Sequence, residues 1–295
     1  MIIQRKNINV KKWDERVSLS NEDGIFFHFS WYLDVVAPNW EGFVLGDYEA
    51  IFPITGVNKW GVNFLIQPFL TRSFSPMGFE PSQLISLQKY LQTHFRYVQL
   101  GSTHFSVGQA VGRTYQCLEL NENAAAGFSE NHRRQLKKFQ AFSPKLTHDF
   151  RPDEVIQLFR KVKGEEFLHL KDRHYRMLRQ LMVSANEQGK LFQFSVFVEG
   201  QMIGSSVYLK IGTKVLYLKG IVTSEYQKVG GMVYLHAEAI RFFSGDCVSF
   251  DFGGSNNQGL ANFNRKFGAA DREYLLLTSN RLPWPLKNLV NRKFG

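Results

Sequence analysis

In the second half of the chain, short runs of alternating apolar and polar residues are separated by turn residues. Phe194–Glu199 reads as a strand, Gly200-Gln201 as its turn, and Met202–Lys210 as the returning strand. Ile211–Lys214 turns the chain into a third strand, Val215–Val222. The period then changes from two to that of a helix. Val233, Leu235, His236, Ala239, Ile240 and Phe243 share one face and predict a helix from Gly231 to Phe243. A fourth strand, Val248–Phe252, runs into Gly253-Gly254-Ser255.

The front half repeats this order. Gly42–Leu45 and Tyr48–Ile54 flank a Gly46-Asp47 turn, Trp60–Ile66 is the third strand, and Pro81–His94 the helix. Tyr97–Leu100 is the fourth strand and ends in Gly101-Ser102. Gly46 and Gly200 lie 154 residues apart, Gly101 and Gly253 152 apart, a spacing that points to duplication. Helices are expected before each meander: Val10–Leu19 and Phe26–Val36 in front, then Glu130–Phe142, Pro152–Lys163 and Lys171–Gln188. Asn121–Phe128 reads as the linker, Ser129 as an N-cap, and Ser143-Pro144 as a helix stop. The pattern predicts an α/β (α+β) chain of two tandem modules, 1–127 and 128–295. Each is a mixed, mainly antiparallel sheet flanked by helices.

Composition narrows the partners. With 27 Phe, 11 Tyr and 5 Trp the chain carries more aromatic side chains than a disordered polypeptide does. The formal charge is +10, but the excess is local. Residues 1–12, 131–145 and 274–295 carry thirteen basic side chains and no acidic one, and the rest of the chain is net negative. A broad DNA-binding face would spread its charge, so no DNA partner is expected. Arg133, Arg134, Lys137 and Lys138 form a basic stripe on one helix, either a solvated face or an anion site. Cys117 and Cys247 make neither a disulfide framework nor a zinc knuckle, so a reducing compartment is expected. P-loop, G-x-G-x-x-G, G-x-S-x-G and H-E-x-x-H motifs are absent, and His169 and His174 alone are close in sequence, so no metal is expected. Met1–Val10 is too polar for a signal peptide, and no run approaches the ~18 apolar residues of a membrane span, so a cytoplasmic location is expected.

Two sequence features resemble a known superfamily. Gln227-Lys228-Val229-Gly230-Gly231, between a strand and a helix, is similar to the acyl-donor loop Q/R-x-x-G-x-G/A of GNAT acyltransferases, with Met232 where a small residue is usual. Glycines that merely start a helix would look the same. Asp251-Phe252-Gly253-Gly254-Ser255, then Gly259-Leu260 and Phe263-Asn264-Arg265-Lys266-Phe267-Gly268-Ala269, resembles the C-terminal signature of Fem-type proteins, which are two tandem GNAT-like modules. Asn131-His132-Arg133-Arg134 with Lys137-Lys138 also resembles the basic helix that opens the family's second module.

The resemblance implies N-acyl transfer without a tightly bound cofactor, from an acyl-CoA co-substrate to an amine of a small or lipid-linked cell-envelope or polysaccharide precursor in a bacterial cell. An aminoacyl-tRNA is the alternative donor, and a binding protein that has lost its chemistry the alternative class. Gln227, Lys228, Gly230 and Gly231 are the expected donor-binding residues, with Lys219 facing either phosphate or solvent. Asp251 is expected as base or amine-positioning residue, or as a cap for the adjoining glycine turn. Asn264 stands where Fem-type aminoacyl transferases carry a lysine and simple GNAT enzymes often a tyrosine, and Lys266 would assist it. Trp31, Tyr32 and Trp40 are expected to stack on a sugar or to fill a core, and Arg133, Arg134 and Lys137 to meet an anionic substrate. The tail Leu282–Phe294 mixes apolar and basic residues and suits either the inner membrane face or packing on the front module.

Overall fold

The computed structural model describes all residues except 23, 60, 103, 105–106, 164–170, 255–256, 285, 289 and 291–295. His169 and Ser255 therefore lie outside the described residues. The chain forms two units, Met1–Arg113 with Glu273–Gly295, and Thr114–Arg272. This division differs from a boundary at residue 127, because the chain changes unit inside a strand and its last strand returns to the first unit.

Unit 1 holds β1 (Ile2–Gln4), α1 (Val10–Ser18), α2 (Ser30–Val36), β2 (Glu41–Leu45), β3 (Ala50–Ile54), β4 (Gly56–Lys59), β5 (Val62–Ile66), α3 (Pro81–His94) and β6 (Tyr97–Ser102). Strand β7 (Gln109–Glu119) carries the chain into unit 2. There follow α4 (Glu130–Gln140), β8 (Lys145–Thr147), α5 (Pro152–Lys163), α6 (Asp172–Glu187), β9 (Leu191–Val198), β10 (Gln201–Ile211) and β11 (Lys214–Val222). Then come α7 (Ser224–Gln227), α8 (Gly231–Phe243), β12 (Ser249–Asp251) and α9 (Gln258–Arg265), and β13 (Ala270–Asn280) leads back to unit 1.

Local chemistry sets several of these limits. The Asn9 side chain accepts from Lys12 N at the start of α1, the Ser129 hydroxyl from His132 N at α4, and the Asn257 amide from Gly259 N and Leu260 N at α9. In unit 2 the strand order is β7-β12-β11-β10-β9-β8, antiparallel except for the β11–β12 pair. In unit 1 the extended stretch from Ala50 to Lys59 changes sheet at Thr55. Its first part joins β1 and β2, and its second joins β5, β6 and β13. The front copy of the plan is thus split where the rear copy is continuous. Both copies keep one βαβ unit with parallel strands: β5–α3–β6, paired Phe64 to Tyr97, and β11–α8–β12, paired Lys214 to Ser249.

The core of unit 1 takes the rings that were candidates for sugar stacking. Tyr32 and Trp40 are fully buried and Trp31 nearly so. Trp40 lies 4.6 Å from Trp13 and donates its Nε1–H to Asp34 Oδ1, while the Tyr32 hydroxyl donates to Leu70 O. Rings held this way present no face to a ligand, which corrects the substrate-binding expectation for Trp31 and Tyr32. In the tail, Leu282 and Val290 pack with Phe64 and Tyr97 in unit 1, while Trp284 stays 79 % exposed. Among the described residues no helix is long and apolar enough to cross a membrane.

His28 in unit 1 and His236 in unit 2 are both buried. His28 donates through Nδ1 to Gly24 O and accepts at Nε2 from Ser75 N, and burial pushes it down to about 4. His236 on α8 meets the Tyr208 hydroxyl through Nδ1 at 3.0 Å, and burial pushes it down to about 3. Both are neutral in the fold but bind a proton near pH 6.5 once unfolded. Their contribution is therefore complete above pH 6.5 and is lost as pH falls, by up to about 1.4 kcal/mol per pH unit for each histidine. The urea midpoint is expected to fall between pH 7 and pH 5. His236→Asn should lower it at pH 7 and flatten the slope, and an unchanged slope would show that His236 is not the titrating group.

Candidate functional site

Strand β11 is nine residues long, yet its ladder to β12 spans only Lys214–Leu216 against Ser249–Asp251. From Tyr217 to Val222 it continues, paired to β10 on one side, while the chain beyond Asp251 turns through Phe252 and two glycines with positive φ, Gly253 at +82° and Gly254 at +87°. A Cβ on Gly253 would stand 2.8 Å from Tyr217 O, so the two chains pass closely before they separate. Among the described residues, the backbone of β11 on that side has no strand partner beyond Leu216. The parallel pair of unit 1 does not part in this way. There Gln67 N donates to Gln99 O and Phe74 N to Gly101 O, so the chain after β5 stays against β6.

Helix α8 starts where β11 ends. Gly230 is its N-cap, in the left-handed region at φ +99°, and it provides no side-chain cap for the first-turn N–H groups. Those groups and the helix dipole make a place where an anion is favoured. Gln227 and Lys228 are exposed beside it. The two glycines have packing reasons as well. A Cβ on Gly230 would stand 2.8 Å from the Gln135 carbonyl oxygen of α4, and one on Gly231 2.8 Å from Val222 Cγ1. They therefore seat α8 against α4 and β11, in addition to leaving its first turn open.

The strand faces separate the remaining candidates. Phe250 and Leu118 belong to the core beneath α8, and Asp251 stands opposite Cys117, so Asp251 faces the other side of the sheet. Asp251 is 4 % exposed, and its Oδ1 accepts from Gly253 N at 2.8 Å, closing the turn after β12. Asn264 lies on the α8 side. Its Nδ2 donates to Gln116 Oε1, Gln116 Nε2 donates to Asp271 Oδ1, and Asp271 pairs with Arg265. The structure thus keeps Asn264 away from Asp251 and spends its carboxamide on a buried network, which corrects the catalytic expectation for Asn264. Lys266 is exposed at the end of α9, where its carbonyl accepts from Ser129 N.

A bulge decides where Lys219 points. Tyr208 pairs with Tyr217 and Val207 with Lys219, so Leu218 is the extra residue. Tyr217 shares the α8 face, 4.6 Å from the His236 ring, whereas Lys219 faces the side on which α5 packs. The sheet therefore separates Lys219 from the Gln227–Gly231 loop, which corrects its assignment to the donor loop. It joins Asp251 on the α5 face instead. Burial pushes its ammonium below the usual range, and among the described residues no carboxylate pairs with it. Tyr217 was not singled out from sequence. It stands on the unpartnered stretch of β11, its hydroxyl lies over Gly220, and burial pushes its phenol well up.

The basic helix is also divided. Gln135 faces Gly230, and about 100° per residue places 138 within about 60° of it and 133 and 137 on the far side. Arg133, Arg134, Lys137 and Lys138 are all exposed. Arg133 and Lys137 point away from the loop, Arg134 lies at its flank, and Lys138 lies beside it.

The fit of Gly230 against α4 yields a test. Gly230→Ala combines a positive φ with contact to Gln135 and is expected to lower stability by more than about 1 kcal/mol. Gly212→Ala, also at positive φ (+56°) but in open space, should lower it less. Equal losses in urea denaturation would mean that the contact with α4 contributes nothing.

Residues 126–263 match the GNAT acetyltransferase domain family. The crystal structure of FemX is similar over 96 % of this chain and 98 % of its own, with a TM-score of 0.67 at 12 % identity. A conserved protein of unknown function from Bacteroides thetaiotaomicron aligns over 94 % of this chain and 100 % of its own, with a TM-score of 0.62 at 9 % identity. The C-terminal domain of a putative lysylphosphatidylglycerol synthetase from Agrobacterium fabrum aligns over 96 % and 94 %, with a TM-score of 0.61 at 9 % identity. No curated protein matches the sequence significantly. The parted strands, the open start of α8 and the residues that match the GNAT domain lie in the same unit, and the chain has the fold seen in FemX.

Proposed function

We propose that unit 2 is an N-acyltransferase that takes its acyl group from an acyl-CoA and delivers it to an amine of a cell-envelope or polysaccharide precursor. The parting of β11 from β12 beside the open start of α8 is the observation that carries this reading. The pantetheine arm is an extended chain with amide groups, so it pairs with the free edge of β11 as an added strand would. Its pyrophosphate meets the first-turn N–H groups of α8, with Gln227 and Lys228 beside it. The choice of acceptor rests on the Fem-type resemblance.

The reaction needs an amine without its extra proton, a donor for the oxyanion and an acid for the departing thiolate. With the donor on the α8 side, the acceptor approaches from the α5 side, where Asp251 positions the ammonium and takes its proton. The amine then attacks the thioester carbonyl, and a backbone N–H of Tyr217–Val222 holds the oxyanion. As the C–S bond breaks, the Tyr217 hydroxyl, kept protonated by burial, protonates the sulfur. A carboxamide at 264 does neither job, and an aminoacyl-tRNA donor would find no ammonium there. Among the described residues of the tail, Trp284 is the exposed apolar side chain that suits peripheral membrane contact, since Leu282 and Val290 are occupied in the core of unit 1.

Calorimetry is expected to show CoA and acetyl-CoA binding to the folded protein, and no binding of either would overturn the donor. Once an acceptor is in hand, Asp251→Asn should lower kcat by about 10²–10⁴-fold with the CoA affinity retained. An unchanged kcat would remove Asp251 from the mechanism. Trp284→Ala should weaken sedimentation with anionic vesicles; equal sedimentation of both proteins would remove the membrane contact.

A further inference from the structure

On its α5 side, the gap beside β11 is bordered by a cation that the fold leaves unpaired. Lys219 stands on that face past the bulge at Leu218, with Val207 opposite it on β10 and Leu216 and Ile221 along the same face of β11. These three neighbours are buried and apolar. Lys219 itself is partly exposed, yet among the described residues no carboxylate pairs with it, and burial holds its ammonium below the usual range. The hydroxyl two residues along β10 is already engaged, since Ser205 Oγ donates to Phe194 O and shares a hydrogen bond with Ser195 Oγ. On the other side of Lys219, among the described residues, no strand pairs with β11, so the residue borders the opening. Asp251, the last residue of β12, stands on the same face across that opening. One strand spacing across and two residues along put the two α-carbons roughly 8 Å apart. Lys219 makes no ion pair with it. Opposite charges held apart on one face of a gap suit a molecule that carries both signs. A partly desolvated ammonium gains most from one hydrogen-bonded anion. A carboxylate matches its single charge, whereas a phosphate monoester brings about two.

We propose that Lys219 binds a carboxylate of the acceptor, so that unit 2 selects amines carrying a carboxylate a few bonds from the nitrogen, as an amino acid does. The inference rests on the reading of Asp251 as the residue that positions the ammonium, and it adds the group that fixes the acceptor's other end. An acceptor held at both ends presents its nitrogen to the thioester in one orientation, whereas a simple amine presents it in many. Lys219 is thus a specificity residue and takes no part in bond making.

Carbon-13 NMR of the intact protein labelled at lysine Cε tests the proposal without needing turnover, with the Lys219 resonance assigned by its loss in Lys219→Arg. The probes are 4-aminobutyrate, butylamine and phosphoethanolamine, each added with and without CoA. 4-Aminobutyrate is expected to move the Lys219 resonance at a concentration about tenfold below that needed for butylamine, and more strongly than phosphoethanolamine does. In acetyl transfer to 4-aminobutyrate, Lys219→Gln should raise KM about tenfold, a larger effect than on kcat, and Lys219→Arg should restore most of the loss. Circular dichroism checks that each variant is folded. Equal responses to 4-aminobutyrate and butylamine, or none to any probe while calorimetry shows CoA bound, overturns the carboxylate seat and leaves the acyl-CoA donor intact. A stronger response to phosphoethanolamine overturns the carboxylate in favour of a phosphate. A response to 4-aminobutyrate without any CoA binding keeps the seat and overturns the acyl-CoA donor. No response to the probes and no CoA binding overturns both.

Discussion

The three-residue ladder between β11 and β12 is the constraint on which the candidate site depends. Pairing ends at Leu216 and Asp251, and that ending shapes both strands beyond it. On β11 it leaves an edge of backbone groups, the Tyr217 ring turned toward α8 and, past the bulge at Leu218, Lys219 turned toward α5. On the other strand it leaves Asp251 tied into a glycine turn. One break in a sheet therefore exposes hydrogen-bonding backbone and gives the gap two chemically different sides. In unit 1 the equivalent gap is filled by the chain itself, which pairs Phe74 with Gly101 and sets the Arg72 carbonyl where a side chain on Gly101 would go. The duplicated plan thus keeps its opening in one copy.

A second close approach links this opening to the basic helix. Gly230 lets α8 begin against Gln135 of α4, and His132 on the same helix reaches Phe263 O through Nε2 and lies 4.3 Å from the Phe267 ring. Helix α4 is therefore held in its first two turns by the loop before α8 and by α9. Its exposed side is positioned by these contacts, so the stripe of four cations has two near the loop and two facing solvent.

Much of this was legible in the chain. Helix periodicity placed α8 at Gly231–Phe243, and the turn glycines marked the β9–β10 hairpin and the end of β12. Strands β7 and β13 were not visible, because their residues do not alternate and their pairing partners are distant in sequence. The faces of Tyr217 and Lys219 were also hidden. A period of two puts both on one side, and a single bulged residue, which leaves no mark in composition, puts them on opposite sides. Burial of Trp31, Tyr32 and Trp40 could not be told from exposure, since an aromatic run suits a core and a sugar platform equally.

Amide hydrogen exchange with and without CoA tests the central claim, that the gap beside β11 is the donor site. New protection is expected at the amides of Tyr217–Val222 and in the first turn of α8, at Gly231–Val233, with β5, β6 and α3 of unit 1 unchanged. Protection confined to unit 1, or CoA binding with no change along β11, would contradict it.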